Sequence, residues 1–272
     1  MAAVTVREML EAGMHYGHHV SRWNPKMKPY IFGRRNFIHI INLRETVRGL
    51  ITAGKFVTHV VSQGKTVVFV GTKRQARRAV HDEAIRCGMP WVIERWLGGT
   101  LTNFRTIRSR MEYLIELEGI VESPSIEKYS KKEASRMRRE LAKMKRNLDG
   151  VRNMEELPGV VVVVDPRREK NAVAEANRLN IPTICLADTD SDPDVADVLI
   201  PGNDDAMRSV EIVMHTLADA VLAGKEKQRQ RVTQQMASVV APAKAPKAEA
   251  PKPEAPKPAD AAPQAPTAPA AK

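Results

Sequence analysis

The sequence predicts an α/β fold, in which a mainly parallel sheet is flanked by helices and carries an inserted pair of antiparallel helices. Two apolar runs, residues 66–70 and 158–164, are typical of parallel strands that are covered on both faces. Strand and helix patterns alternate along the chain, which favours right-handed crossovers between the strands. Apolar residues then recur every three or four positions between residues 105 and 150, which predicts the two inserted helices.

The N-terminal part is predicted to contain a short helix, a basic loop, two strands and a longer helix. Thr5 as the N-cap and Gly13 as the stop bound the first helix. Two prolines exclude regular structure from the loop at residues 22–30. The remaining predictions are strands over residues 30–32 and 37–41, a turn over 33–36, and an amphipathic helix over 43–61.

The strand at residues 66–70 leads into a predicted helix over residues 72–87. Its V-G-T-K sequence is similar to a phosphate-binding loop, but the first glycine of that motif is missing, which excludes nucleotide binding there. The predicted first turns instead carry four cations, Lys73, Arg74, Arg77 and Arg78. Cations oppose the helix dipole at this end, and a docked phosphate backbone would offset that cost.

Residues 89–104 form the hinge between the sheet and the inserted helices. Trp91 begins a short buried strand. Gly98 and Gly99 would destabilise a continued strand or helix, so the backbone is predicted to turn there. Thr100, Thr102 and Asn103 offer N-cap side chains for the next helix. A glycine turn at a helix N-terminus is an anion site, and the alternative is a tight turn with a packed Trp96. The sequence leaves both interpretations, the anion site and the tight turn, open.

The inserted helices are predicted to form a coiled-coil hairpin that projects from the sheet. A turn at residues 123–125 separates the arms, and Ser130 with Glu133 forms a capping box for the second arm. Each arm is about 25 Å long. The narrow apolar seam and the many charged residues favour projection over a packed subdomain.

The C-terminal half returns to the sheet. The strand at 158–164 ends at Asp165, and the following elements are a helix at 168–179, strands at 181–187 and 198–200, and a helix at 204–224. Nine of the eighteen prolines lie within residues 242–269, which predicts disorder. The predicted domains are a discontinuous α/β domain (1–104 and 151–225), the hairpin (105–150) and a disordered Ala/Pro/Lys-rich tail (226–272).

Composition limits the function classes. The 272 residues contain no apolar run of eighteen, and residues 1–13 lack the apolar segment of a signal peptide, so no membrane span and no secretion are expected. Cys87 and Cys185 lie far apart, which excludes a disulfide framework and favours a reducing cytosol. Only 4% of residues are aromatic, which argues against binding of single strands by base stacking.

Charge is distributed unevenly, and this predicts contact with a nucleic acid. Residues 1–80 hold fourteen Lys and Arg against three Asp and Glu, whereas residues 153–225 hold six against fourteen. Phosphate contacts by the basic part would position the protein without reading base sequence. The candidate RNA-binding residues are Arg22, Trp23, Asn24, Lys26, Lys28, Arg34, Arg35, Lys73, Arg74, Arg77, Arg95, Thr102, Asn103 and Arg105.

No catalytic residue and no cofactor are predicted, because none of the common nucleophile, metal or dinucleotide motifs occurs. Asp165 and Asp188 follow strands, where doubly wound sheets place active sites, but no partnered base or nucleophile lies nearby. The Asp-rich loop at 188–194 is not an EF-hand, because it lacks the required glycine and the closing Glu. Two metal arrangements stay open: a Mg²⁺ held partly by water in this loop, against an acidic turn without metal, and a divalent metal between His15, His18, Asp188 and Asp190.

Several motifs resemble the bacterial family of small-subunit ribosomal protein two. They are WNPKM at 23–27, FVGTKRQA at 69–76, RWLGGTLTNF at 95–104, and IPTICLADTDSDP followed by IPGNDDA. The resemblance covers residues 5 to about 224. It implies a flavodoxin-like α/β domain carrying a coiled-coil hairpin, and the tail after residue 230 departs from it.

The resemblance also implies a function without catalysis. It implies a place on the solvent side of the small subunit in cytoplasmic ribosomes, between head and body. The expected partners are small-subunit rRNA and neighbouring ribosomal proteins, including the large RNA-binding protein near the mRNA entry platform, and no homo-oligomer is expected. Two alternatives remain: a phosphometabolite-binding α/β enzyme that uses Asp165 and Asp188, and an adaptor that docks proteins through the hairpin and the acidic part.

Overall fold

The structure is a computed structural model that describes residues 5–240. The N-terminal part places a small antiparallel sheet ahead of the main α/β unit. Its elements are α1 (Val6–Glu11), β1 (Tyr16–His19), β2 (Ile31–Arg35), β3 (Ile38–Ile41) and α2 (Leu43–Ser62).

The remaining elements follow in two groups. The first group contains β4 (Val67–Val70), α3 (Arg77–Cys87), β5 (Trp91–Val92), α4 (Phe104–Glu122) and α5 (Lys131–Leu148). The second group contains β6 (Val160–Val164), α6 (Lys170–Arg178), β7 (Thr183–Ala187), β8 (Val198–Pro201) and α7 (Met207–Val240). None of the helices within residues 5–240 is long and apolar enough to cross a lipid bilayer.

The main sheet has five parallel strands in the order β5-β4-β6-β7-β8, which confirms the predicted α/β fold with a mainly parallel sheet. Alternate residues of one strand pack into two different cores. Val160 and Val162 of β6 join α2, α3 and α7 on one face, whereas Val161 and Val163 join α6 and the start of α4 on the other. The uninterrupted apolar runs are therefore explained by burial on both faces.

The smaller sheet has the strand order β1-β3-β2 and is antiparallel. The strand at residues 16–19 was not predicted. The predicted turn at 33–36 is wrong, because residues 33–35 belong to β2 and the turn lies at Asn36 and Phe37, with φ of 48° and 60°. Asn tolerates this left-handed conformation better than most residues, which explains a turn without glycine.

The loop at residues 22–30 is more regular than predicted. Residues Val20–Arg22 and Pro25–Tyr30 form two short 3-10 helices. Pro25 occupies the first position of its helix, where the missing N–H has no partner in any case. The side chain of Asn24 caps this helix by accepting a hydrogen bond from the backbone N–H of Lys26.

The predicted helix over residues 72–87 begins only at Arg77, so Lys73 and Arg74 precede it. Residues 73–76 form a bend and a turn instead. The Thr72 hydroxyl donates to the Glu169 carboxylate, and Lys73 reaches Asp204. These tertiary contacts outweigh the local preference for helix. Of the four cations predicted in the first helical turns, only Arg77 and Arg78 lie there.

The closing helix was predicted to end at Gly224, but α7 continues to Val240. Part of the predicted disordered tail, residues 226–240, is therefore helical, and residues 241–272 lie outside the described residues. Gly224 does not end the helix. It permits close packing on α2, because a Cβ there would lie 2.7 Å from Cβ of Val61 and 3.0 Å from the carbonyl oxygen of Thr58.

The two inserted helices α4 and α5 are present, and the 3-10 segment Pro124–Lys128 links them. The predicted capping box of Ser130 and Glu133 is confirmed. Ile107, Met111 and Leu114 of α4 join the core on the α6 side of the sheet. Glu118 of α4 pairs with Lys145 of α5 at 2.9 Å. Coiled-coil winding and projection of this pair stay predictions.

Candidate functional site

The glycine turn at the hinge binds an anion, and the anion is Glu175 of α6. Its carboxylate accepts hydrogen bonds from the backbone N–H groups of Gly99 (2.8 Å), Leu101 (2.9 Å) and Thr102 (3.2 Å). The indole N–H of Trp96 donates to the same group at 3.1 Å. Both interpretations of the turn are therefore correct in part. Trp96 is buried, as expected of a tight turn, and the anion bound by the turn is a side chain of the protein itself.

These hydrogen bonds also set the ionisation of Glu175. Its partial burial alone would raise the pKa, but the donors from Leu101, Gly99, Trp96 and Thr102 outweigh burial and hold the pKa below its usual value. The turn is thus held by an ionised carboxylate at neutral pH. The backbone N–H groups of Gly99, Leu101 and Thr102 already donate to Glu175, so they are not available to a phosphate group of an RNA partner.

A cluster of charged side chains lies at the carboxyl edge of the main sheet. Nζ of Lys73 lies 2.8 Å from Oδ1 of Asp204, 2.7 Å from Oδ1 of Asp205 and 3.7 Å from Oδ2 of Asp165. Lys73 follows β4 and Asp165 follows β6. After β4 the chain adds β5 on one side of that strand, and the later strand β6 lies on its other side, so the strand order reverses between β4 and β6. In open α/β sheets, ligands bind at this switch point of strand order.

The small sheet is fastened to the same edge through His18 of β1. Nδ1 of His18 lies 2.6 Å from Oδ2 of Asp188, which follows β7. The backbone N–H of His18 donates to the Thr189 hydroxyl at 3.0 Å. Gly17 permits this approach, because a Cβ there would lie 2.9 Å from Oδ1 of Asp188. These contacts join residues that are 170 and 171 positions apart in the sequence, and they bring the basic N-terminal part and the acidic C-terminal part together.

The cluster changes the ionisation of its members. The hydrogen bond to Asp188 raises the pKa of His18 to about 9, despite partial burial. Burial, with the charge of Asp165 added, raises the pKa of Asp204 to about 7. Burial acts to lower the pKa of Lys73, but the nearby carboxylates outweigh it and raise the pKa. Asp165 itself has φ of 62°, so its backbone adopts a strained conformation at this edge.

A polar groove of about 650 Å³ opens beside the cluster. Its lining includes His18, Arg22, Trp23, Asn24 and Arg167. Arg167 pairs with Asp190 at 2.6 Å. Three of the predicted RNA-binding residues therefore share one concave surface, and Arg167 is a member that the sequence prediction missed.

Most of the predicted RNA-binding cations are exposed and free of internal partners. Within residues 5–240, none of the following forms an ion pair with another described residue: Arg22, Lys28, Arg34, Arg35, Arg74, Arg95 and Arg105. Arg34 and Arg35 lie on β2, where Phe32 is also 80% exposed. Free cations on an exposed sheet are available to phosphate groups.

The other predicted residues have internal partners or flank the hinge. Lys26 binds Asp192 and Asp194 at 2.9 and 2.6 Å, and Arg77 binds Glu94 at 3.1 Å. Lys73 is bound in the acidic cluster. Trp23 packs on the ring of His39. Thr102 and Asn103 are exposed at the hinge, and Asn103 precedes α4 without a side-chain cap.

A second groove, of about 700 Å³, lies beside the hinge and was not predicted as a site. Its charged lining is mostly basic and comprises Arg110, Arg136, Arg139, Lys143 and Glu140. Leu97 of the hinge and Leu148 at the end of α5 close it. The four cations lie on two helices, and their convergence depends on tertiary packing that periodicity alone does not reveal.

The predicted metal arrangement is brought together only in part. His18 and Asp188 meet, but Asp190 pairs with Arg167, and burial lowers the pKa of His15, whose Nδ1 is buried without a partner among the described residues. Asp204, which the sequence prediction missed, completes a group with His18 and Asp188. Their ligand atoms all lie within 4.8 Å of one another.

Comparison with known proteins identifies the family. Residues 9–224 match the family described as Ribosomal protein S2. The chain belongs to this family. It is 59% identical over 225 residues to the small ribosomal subunit protein uS2 of Rhodopirellula baltica, covering 83% of this chain and 86% of that protein.

The similarity to two further relatives extends over almost the whole length of those proteins. The small ribosomal subunit protein uS2c of Cyanophora paradoxa is 54% identical, over 82% of this chain and 96% of its own. The uS2 protein of Dictyoglomus thermophilum is 48% identical, over 87% of this chain and 96% of its own. The match of the S2 family begins at Met9 and ends at Gly224, so it contains the small sheet, the acidic cluster and both inserted helices.

Proposed function

We propose that this protein is a structural constituent of the small ribosomal subunit in the cytoplasm, where it binds small-subunit rRNA without catalysing a reaction. The observation that carries the proposal is membership of the ribosomal protein S2 family, whose relatives are named as small-subunit proteins. The free cations of the N-terminal part support the RNA contact, because a polyanion is the partner that such a surface attracts.

The proposed RNA surface consists of the exposed cations on β2 and the loop before it, together with Arg74, Arg95 and Arg105. Arg34 and Arg35 are its centre, because they are adjacent on one strand and unpaired within residues 5–240. Lys26 and Lys73 are left out of this surface. Their ammonium groups are held by carboxylates, so moving them to a phosphate would leave those carboxylates without a partner.

The proposed architecture is the flavodoxin-like fold with an inserted antiparallel coiled coil. The observed strand order β5-β4-β6-β7-β8 supports the first part, because it corresponds to the flavodoxin order 2-1-3-4-5. The contacts between α4 and α5 support the second. The basic groove at Arg136 and Arg139 then provides a further polyanion surface at the root of the hairpin.

Neighbouring ribosomal proteins are the second proposed class of partner, and the chain is proposed to act as a single copy. Phe32 on β2 and Phe37 in the turn after β2 are 80% and 75% exposed. Exposed aromatic side chains are efficient anchors at protein interfaces. The two side chains flank Arg34 and Arg35 in the chain, so a protein contact at them would adjoin the proposed RNA contact.

Co-sedimentation with small subunits that lack this protein tests the proposal. We expect the full chain to join the subunits in low salt and to wash off in high salt, because released counterions drive phosphate binding. Replacing Arg34 and Arg35 by Ala should weaken incorporation, whereas Lys26→Ala is the matched control that should not. Incorporation of the double variant at the wild-type level, or binding that is insensitive to salt, would contradict the proposal.

A further inference from the structure

In the cluster at the carboxyl edge, one oxygen of the Asp204 carboxylate has no contact with Lys73. Asp204 is 1% exposed, and its Oδ2 has no hydrogen-bond partner among the described residues. Lys73 takes only Oδ1 of the same carboxylate. A buried carboxylate oxygen without a partner is costly, and it usually marks the position of an ion, a water molecule or a ligand.

The charges around this oxygen favour a cation. Four carboxylates, those of Asp165, Asp188, Asp204 and Asp205, meet at the edge, and Lys73 and His18 are the cationic partners that contact them. His18 lies 2.6 Å from Asp188 and 3.6 Å from Asp205. Coordination of a metal by His18 would displace the imidazole proton, so the metal would replace that positive charge beside Lys73 and the four acids.

We propose that His18, Asp188 and Asp204 form a binding site for one divalent transition metal of the Zn²⁺ class. Their ligand atoms lie within 4.8 Å of one another. Four-coordinate Zn²⁺ with bonds of about 2.0–2.2 Å holds its ligand atoms about 3.5 Å apart. Metal binding therefore separates His18 Nδ1 from Asp188 Oδ2, which lie 2.6 Å apart, and draws the Asp204 carboxylate closer. A water molecule takes the fourth position.

The donor set distinguishes the class of metal. One imidazole nitrogen with two carboxylate oxygens suits Zn²⁺, whereas Mg²⁺ prefers oxygen ligands alone and keeps most of its water. The groove lined by His18, Arg22 and Asn24 opens at the cluster and provides an entry path.

The metal would join two parts of the molecule. His18 belongs to the small basic sheet, whereas Asp188 and Asp204 follow β7 and β8 of the main sheet. Coordination therefore fastens the small sheet to the main sheet. This inference does not depend on the proposed RNA binding, because the site and its test involve the protein and the metal alone.

Calorimetric titration of the chelator-treated full chain with Zn²⁺, Mn²⁺ and Mg²⁺ tests the site. We expect one Zn²⁺ per chain, weaker Mn²⁺ binding and the weakest binding for Mg²⁺. His18→Gln and Asp204→Asn should each weaken Zn²⁺ binding by at least about 100-fold, because removal even of a supporting residue costs 10–100-fold. Co²⁺ provides a second readout, since its visible absorption reports coordination, and this absorption should be lost in both variants.

Two matched controls locate the metal. His215→Gln removes an exposed histidine beside Glu83, and Asp192→Asn removes a carboxylate that pairs with Lys26, and both should keep the site. If Asp204→Asn fails to give the folded circular dichroism spectrum, the partly exposed His18 variant decides. No binding of Zn²⁺ to the wild type, unchanged binding in His18→Gln, or loss in His215→Gln would overturn the proposal.

Discussion

The carboxylate of Glu175 on α6 accepts a hydrogen bond of 2.8 Å from the backbone N–H of Gly99, so the glycine turn of the hinge holds an anion that the chain itself supplies. Gly99 has φ of 88°, a conformation that favours glycine. This one contact connects the start of the inserted helices to the face of the main sheet that α6 covers. The hinge is therefore a structural joint.

Replacement of Glu175 tests this joint. We expect Glu175→Gln to lower the free energy of unfolding by about 2 kcal/mol, because the NH₂ group of Gln cannot accept the hydrogen bonds of the carboxylate oxygen that it replaces and the remaining bonds lose their charge. Chemical denaturation followed by circular dichroism measures the change. Glu211→Gln on the exposed side of α7 is the control and should have little effect. Equal stability of the two variants would show that the turn does not need the carboxylate.

The same residue predicts an acid dependence of stability. Its pKa is lower in the folded protein than the usual value of 4.5, because the donors of the turn outweigh burial. Glu175 therefore contributes stability that is complete above about pH 4.5 and is lost as the pH falls through the folded pKa. The difference in unfolding free energy between wild type and Glu175→Gln should shrink between about pH 5 and pH 3. A difference that stays constant over this interval would contradict the assignment.

Adjacent residues Lys73 and Arg74 should behave oppositely. Lys73→Met leaves the carboxylates of Asp165, Asp204 and Asp205 without their ammonium partner, so we expect a loss of about 3 kcal/mol in unfolding free energy. Arg74→Ala should change stability by less than about 0.5 kcal/mol but weaken RNA binding. Thermal denaturation and filter binding separate the two effects. A Lys73 variant of normal stability with weakened RNA binding would return Lys73 to the RNA surface.

Two helical glycines provide a matched pair for the packing of α7 on α2. Gly224→Ala should destabilise by about 1–3 kcal/mol, because its Cβ would meet Val61 and the backbone of Thr58. Gly119→Ala on α4 meets nothing within 4 Å and should stabilise by up to about 1 kcal/mol through helix propensity. Similar effects at both sites would mean that Gly224 is not required for close packing.

Sequence patterns predicted the main sheet well, because strands buried on both faces leave continuous apolar runs. The strand at residues 16–19 was missed, since it pairs with β3 and carries no alternation of its own. Gly224 was misinterpreted because a glycine that packs and a glycine that ends a helix look alike in sequence. Asp204 and the basic groove at Arg136 were missed for a shared reason: each depends on residues brought together by packing.

The most direct test of the account is the salt dependence of binding to small-subunit rRNA. We expect the logarithm of the affinity to fall linearly with the logarithm of the salt concentration. Removing Arg34 and Arg35 should make the slope shallower by about one unit for each lost phosphate contact, whereas Lys26→Ala should leave it unchanged. A wild-type affinity that does not change with salt, or a double variant with the wild-type slope, would contradict the proposed RNA surface.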